Sequence, residues 1–246
     1  MRIQKYLSAA GFCSRRKAEE LIKENRVKIN NLPASIGDVI DEKKDKIFVD
    51  GKPIKNSVKQ IYLLLYKPKG YVSTSSDPEG RKTVLDLVSD IKERVYPVGR
   101  LDYDTEGLII MTNDGEFTNI LTHPSHNVEK VYKAKCNGNI TKEKLNKLQD
   151  GIVIDDEYMT GKANIYYAQN YKDYFEIEIG IKEGRNRQVR KMFAELKNPV
   201  LTLKRIKIGF LSIDKLKRGK YRTLTKKEIE KLKKLDVNKE NSNILW

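Results

Sequence analysis

Apolar and polar positions in the first fifty residues follow two periods in turn. Ile3, Leu7 and Ala10 fall on one helical face, and Gly11 ends that run. Ser14 stands as the cap of a second helix whose apolar face is Ala18, Leu21 and Ile22. The period then shortens to two. Val27-Lys28-Ile29 reads as a strand turned by Asn30-Asn31, and Asn tolerates left-handed backbone. Ile47-Phe48-Val49, Asp50-Gly51 and Pro53-Ile54 read as a second hairpin. Residues 1–50 are expected to form one small unit, and the polar stretch 51–60 a linker.

A second domain is expected over residues 61–235. Its strand-length apolar runs are Ile61–Tyr66, Leu108–Thr112, Val131–Cys136, Ile152–Ile154, Lys162–Tyr167, Tyr174–Ile181 and Leu201–Leu211. Lys67-Pro68-Lys69-Gly70 reads as a turn. Helical spacing predicts helices at Val84–Leu87, Glu116–Leu121, Lys142–Leu148 and Gln188–Leu196. Strands outnumber helices and mix with them irregularly, which predicts an α+β fold with a largely antiparallel mixed sheet and flanking helices. The polar tail 236–246 is expected to fray apart from Ile244–Trp246.

Composition narrows the function. No apolar run reaches the ~18 residues that a transmembrane helix needs, and no secretory signal is evident at the N-terminus. Cys13 and Cys136 are far apart and only two histidines accompany them, so a zinc site is not expected and a reducing, cytoplasmic home fits. Net charge is +15, and residues 181–235 carry 19 basic against 5 acidic side chains. A stripe so basic suits a polyanion, whose phosphates release counterions on binding; a solvated lysine surface is the plainer explanation. Arg15, Arg16 and Lys17 fall in the first turn of the second helix, where cations oppose the helix dipole. That arrangement makes sense if an anion sits at the helix end.

The densest chemistry lies in Gly99-Arg100-Leu101-Asp102-Tyr103-Asp104-Thr105-Glu106-Gly107, where three carboxylates alternate just before an apolar strand. Three readings are open: a catalytic carboxylate entering a buried strand, a divalent-metal site, and a polar turn capped by its own side chains. Local chemistry alone does not choose between them. No nucleotide-binding glycine motif is present, and no cofactor is expected.

Two resemblances sharpen this. Residues Arg2 to Leu7, Gly11, Ser14 to Ala18, Leu21-Ile22 and Arg26 to Asn30 resemble the S4 RNA-binding domain, with Asn31 where that family usually has Gly. Gly99-Arg100-Leu101-Asp102, Thr105-Glu106-Gly107-Leu108 and Thr112-Asn113-Asp114-Gly115, together with Lys67 to Gly70, Glu129 to Tyr132 and Glu183 to Phe193, resemble the RsuA/RluB branch of ribosomal RNA pseudouridine synthases. The likeness runs from about residue 61 to about residue 230, and an S4 domain in front is that branch's architecture. It implies a small S4 domain followed by a pseudouridine synthase catalytic domain.

By the resemblance, Asp102 is the catalytic carboxylate, Tyr132 the active-site tyrosine against the target base, and Arg190 the cation paired with the catalytic carboxylate. Asp104 and Glu106 match no catalytic position. Leu203 or Ile206 is the expected apolar floor. The cations expected to face RNA are Arg2, Lys5, Arg15, Arg16, Lys17 and Lys28 in the first unit and Arg100, Arg185, Arg187 and Lys191 in the second. Lys204, Arg205 and Lys207 are expected to extend that surface. Leu121 to Ser125 and Gly219 to Leu224 look closer to the RluB type, which implies large-subunit (23S) ribosomal RNA, with no cofactor, metal or membrane, and a monomer by default. The alternatives are a small-subunit (16S) enzyme, a non-catalytic RNA-binding assembly factor, and a metal-dependent nuclease built on Asp102, Asp104 and Glu106.

Overall fold

A computed structural model describes residues 1–55 and 58–240 of the chain. Two compact units emerge. The first comprises residues 1–61 with the short segments 91–95 and 113–115, and the second the remainder from Tyr62.

In the first unit, α1 (Ile3–Ala9) and α2 (Arg15–Lys23) precede a four-stranded antiparallel sheet of β1 (Val27–Ile29), β2 (Leu32–Pro33), β3 (Ile47–Val49) and β4 (Lys52–Ile54), in the order β2-β1-β3-β4. Gly11, at φ +72°, lets the chain turn out of α1. The Ser14 side chain accepts from Lys17 N at 3.1 Å and caps α2. Ile3, Leu7, Leu21, Ile22, Val27, Ile47 and Val49 make the core. The expected linker is therefore sheet in its first half. Ile54 pairs with Ile47 across β3 and β4 and packs on that core, so the apolar alternation outlasts the Asp50-Gly51 turn. Residues 56 and 57 of that segment lie outside the described residues.

The second unit holds a nine-stranded sheet. Its members are β5 (Tyr62–Lys67), β6 (Tyr96–Val98), β7 (Glu106–Thr112), β8 (Lys130–Asn137), β11 (Asn164–Asn170), β12 (Tyr174–Ile181), β13 (Val200–Ile208), β14 (Leu211–Ser212) and β15 (Tyr221–Thr223). The main path is β11-β12-β8-β13-β7-β5-β15, with β6 on β7 and β14 on β13. Among the described strands of this sheet, β7 and β13 pair in parallel and the other ladders are antiparallel. A two-stranded ribbon of β9 (Val153–Ile154) and β10 (Tyr158–Met159) stands apart. The helices are α3 (Gly115–Thr122), α4 (Lys142–Asp150), α5 (Gln188–Glu195) and α6 (Lys226–Glu240). None is long and apolar enough to cross a membrane.

Three strands and one helix escape the pattern analysis: β6, β10, β15 and α6. The first three are two or three residues long, below what alternation can register. In α6 the lysine run hides a stripe at Ile229, Leu232 and Leu235, which packs beside Tyr62, Phe117 and Leu224. The tail expected to fray from residue 236 continues this helix to Glu240, and Ile244–Trp246 lie outside the described residues. The predicted strand Leu201–Leu211 is broken at Gly209-Phe210, where the chain folds back so that Ile208 pairs with Leu211.

Candidate active site

Strands β7, β13 and β8 are neighbours in the large sheet, and one face of them floors a cavity of about 360 Å³. Side chains alternate along a strand, so Lys130 and Tyr132 on β8 share a face, as do Leu203 and Arg205 on β13. All four line the cavity. A bulge between Arg205 and Lys207 changes the β13 register. Alternation alone would bring Lys207 round after Leu203 and Arg205; the bulge brings Ile208 instead, while Ile206 alternates out of the lining, so the apolar floor is Leu203 with Ile208 and Ile110. The walls come from the segments around Gly99–Asp102 and Ile181–Val189.

The carboxylate loop between β6 and β7 is clamped from beneath. Ser73 Oγ donates to Leu101 O at 2.8 Å and accepts from Leu101 N at 3.0 Å. Lys67, fully buried, donates from Nζ to Asp102 O at 2.9 Å, Thr105 O at 2.8 Å and Pro68 O at 3.2 Å. Burial pushes the Lys67 ammonium down to about 8, against the opposing charges of Asp102 and Asp104. At the loop's end Gly107 adopts φ +120°, and a Cβ there would meet Arg205 O at 2.3 Å. Only glycine lets β7 and β13 approach at this point.

This clamp separates the three carboxylates. Asp102 lines the cavity, and Asp104 and Glu106 do not. Glu106 holds Lys204 at 3.2 Å, Arg218 at 3.3 Å and the Tyr66 hydroxyl at 3.3 Å. Asp104 holds Arg187 at 3.2 Å and Arg190 at 3.0 Å. Partial burial works to raise the Asp104 carboxyl, but Arg187 and Arg190 outweigh it and keep it below the usual range. With Asp102 at the cavity, Asp104 held by Arg187 and Arg190, and Glu106 held by Lys204 and Arg218, the trio does not converge among the described residues as a metal cage would require.

The expected pairing of Arg190 with Asp102 is corrected here. The Arg190 guanidinium spans the Asp104 carboxylate, Asp104 O at 3.2 Å, Thr105 Oγ1 at 3.4 Å and Val200 O at 3.3 Å. The cation nearest Asp102 is Arg187, whose Nη1 lies 3.8 Å from Oδ2. The reason is positional: Arg187 caps α5 in left-handed conformation at φ +51°, whereas Arg190 lies one turn further along the helix.

Tyr132 is buried on β8, and its hydroxyl accepts from Arg205 Nη1 at 3.4 Å. Arg205 is the second correction. It is buried at 5% exposure and donates from Nε to Leu108 O at 2.6 Å, so it is not part of an RNA-facing surface. Lys130, half-buried at the cavity, has its ammonium pushed down to about 8 by burial and by the charge of Arg205.

The other sequence-predicted cations divide by environment. Arg2, Arg15, Arg16, Lys28 and Arg100 are exposed, and Arg100 lines the cavity. Lys5 is half-buried. Lys17 is tied to Glu20 at 2.9 Å and Lys191 to Asp155 at 2.7 Å. The Arg185 guanidinium lies 3.2 Å from the centre of the Tyr158 ring. Tyr158 donates to Glu183 at 2.6 Å, and Glu183 also receives Gly161 N at 2.9 Å and Gln188 Nε2. Lys67, Lys130, Tyr158 and Glu183, to which the sequence assigns no role, and Arg205, expected at the RNA-facing surface, are parts of the site. A lysine closing an apolar run, as Lys67 does, was the one available signal.

A sequence model described as RNA pseudouridylate synthase matches residues 61–195, and the S4 domain matches residues 1–42. The chain is 43% identical over 98% of its length to the ribosomal large subunit pseudouridine synthase B of Bacillus subtilis (strain 168), covering 99% of that protein. It is 35% identical over 95% of its length to a protein of the same name from Vibrio vulnificus (strain CMCP6), covering 75% of it. A crystal structure of a pseudouridylate synthase superposes with a TM-score of 0.67 at 30% identity, over 94% of this chain and 99% of that one.

Proposed function

The chain belongs to the RNA pseudouridylate synthase family, and from that premise we propose that it isomerises a uridine of large-subunit (23S) ribosomal RNA in the cytoplasm, with Asp102 as the carboxylate that opens the glycosidic bond. The observation that carries the reading is the meeting of Asp102 and Tyr132 in one cavity, with Asp104 and Glu106 engaged elsewhere. The large-subunit target is supported by the names of the Bacillus and Vibrio relatives.

The reaction breaks C1′–N1, turns the uracil and joins C5 to C1′. No atom is gained or lost and no redox change occurs, so no cofactor is required. An ionised Asp102 serves either by attacking C1′ or by taking a ribose proton to give a glycal. Tyr132 offers a ring face that tolerates both orientations of the base. The target uridine must leave its stack, at roughly a few kcal/mol in paired RNA, so an unpaired loop is the cheaper substrate. Exposed Arg100 and Arg185 suit the phosphates on either side of the target, and the exposed arginines of α2 suit phosphates elsewhere on the RNA. Arg190 acts through Asp104 and Thr105, holding the loop that presents Asp102.

The test maps pseudouridine by carbodiimide-dependent reverse-transcription stops in ribosomal RNA from cells lacking the protein. Wild type is expected to restore one missing stop in large-subunit RNA, and Asp102→Asn none. Restoration by Asp102→Asn would remove the role of Asp102, and a missing stop in small-subunit RNA would remove the assigned target.

A further inference from the structure

Two cations that line the cavity have no carboxylate in contact among the described residues. Lys130 precedes Tyr132 by two residues on β8 and shares its face, and Ile208 stands opposite it on β13. Among the described residues its ammonium has no hydrogen-bond or ion-pair partner, and its only charged influence is Arg205. Arg205 stands opposite Tyr132. It satisfies Nε and Nη1 and leaves Nη2 buried without a partner. A structural lysine normally reaches water or meets a carboxylate. Holding two neighbouring cations away from water with no counter-charge is unfavourable in the free protein. It fits a site whose negative charge arrives with the substrate.

If the cavity holds the target uridine, as proposed above, the reaction supplies that charge. When C1′–N1 breaks, its electron pair leaves with the uracil, and the charge spreads over N1 and the ring carbonyl oxygens. C1′ meanwhile bonds to an Asp102 oxygen, or Asp102 takes the proton from C2′ and the C2′–H electron pair becomes the C1′=C2′ double bond of the glycal. When C5 later bonds to C1′, the Asp102–C1′ bond breaks or the C2′ proton returns from Asp102 to the glycal, the C5 proton leaves and N1 gains one, so the product is an isomer of the substrate. Ring charge is greatest while the base is detached. We propose that Lys130 is a further catalytic residue, its ammonium donating a hydrogen bond to a carbonyl oxygen of the detached uracil while Arg205 adds a fixed positive charge beside Tyr132. A phosphate is the weaker candidate for this position: Lys130 stands at the floor, next to Ile208, whereas the exposed Arg100 and Arg185 serve the rim.

The test is single-turnover loss of the glycosidic bond at saturating RNA. Lys130→Met is expected to slow it about 100-fold, as removal of one preorganised donor does, with RNA affinity changed less than about threefold. Lys130→Arg, which keeps the charge, should recover most of the rate. With RNA carrying 5-fluorouridine at the target, fluorine makes the departing base a weaker base, so the Lys130→Met defect should shrink to about tenfold. A merely structural lysine would leave that defect the same size. A normal rate at saturating RNA with weakened binding would assign Lys130 to phosphate and overturn the proposal. Should Lys130→Met not fold, Lys130→Gln decides by the same assay. Asp102→Asn run alongside separates the two readings: full activity there defeats the assignment of the cavity, whereas an inactive Asp102→Asn with a fully active Lys130→Met defeats this proposal alone.

Discussion

On α2 of the N-terminal unit, Arg15 and Arg16 stand in solvent, and the one buried polar side chain among residues 1–54 is Gln4. Around the cavity of the second unit the order is reversed: Lys67 and Arg205 are buried, and Lys130 lies half-buried with no counter-ion. Both regions are cationic and both are read as serving RNA, yet they use charge differently. An exposed arginine acts through a screened field, and its loss perturbs little else. Buried Lys67 is a geometric part, because its ammonium is committed to three backbone carbonyls. The first kind should fail gradually, through affinity and salt. The second should fail in the chemical step and in the fold together.

Lys67 is the sharpest test of that contrast. Its ammonium gathers three carbonyls, two of them in the loop carrying Asp102. Lys67→Met leaves those acceptors buried and unpaired, at about 1–3 kcal/mol each. A thermal melt should show a fall of about 10 °C, and single-turnover rate should drop at least about 100-fold at saturating RNA as Asp102 loses its position. The pH dependence has a definite sign. The folded ammonium titrates near 8 against an ordinary 10.5, so the unfolded chain binds more protons between those values. The stability difference, wild type minus Lys67→Met, should therefore rise from pH 8 to pH 10.5. An unchanged melt or a flat difference would dissolve the contrast between the two kinds of cation.

Arg190 comes next in size. It is mostly buried, and its fork touches two loop residues and the start of β13. Arg190→Lys keeps the charge and loses the fork, so it should behave nearly like Arg190→Ala, with rate down about 10- to 100-fold and stability down about 1–3 kcal/mol. Arg187, exposed and 3.8 Å from Asp102, should be less costly to stability when replaced by Ala. If Arg190→Lys were fully active, a point charge would suffice and the loop would not depend on the fork.

The same contrast explains what was legible in the sequence. The N-terminal unit was nearly transparent, because Ser14, the Ala18-Leu21-Ile22 face and the Asn30-Asn31 turn act locally. In the second unit Tyr174–Ile181 and Gln188–Glu195 were equally clear, since each carries its own periodicity. Buried charge was not. Arg205 sits in a basic run, Lys204-Arg205-Ile206-Lys207, that reads as surface, and its burial depends on Leu108 and Tyr132, far away in the chain. The choice of Asp102 over Asp104 was likewise invisible locally. In the structure the two differ in that Asp102 lines the cavity while Asp104 is held by Arg190, a contact spanning more than eighty residues. The strand bulge that brings Ile208 in place of Lys207 to the cavity has no local signature either.

The smallest expected effect tests the other side of the comparison. Arg15 and Arg16 begin α2, where Ser14 already caps the helix and where among the described residues they have no ion-pair partner. Cations at that end oppose the helix dipole, so removing them should leave stability within about 0.5 kcal/mol, with the dipole acting to raise it. If the pair meets two phosphates, Arg15→Ala with Arg16→Ala should flatten the slope of log affinity against log salt by roughly 1.5 to 2. Affinity falls most at low salt and converges with wild type at high salt. The single-turnover rate at saturating RNA should not move, because no cavity residue is touched. A slope equal to wild type would mean that α2 presents its arginines to water rather than to RNA. A slowed chemical step with an intact slope would do more damage. It would make these exposed cations act as the buried ones do, through geometry, and the division between the two regions would fail.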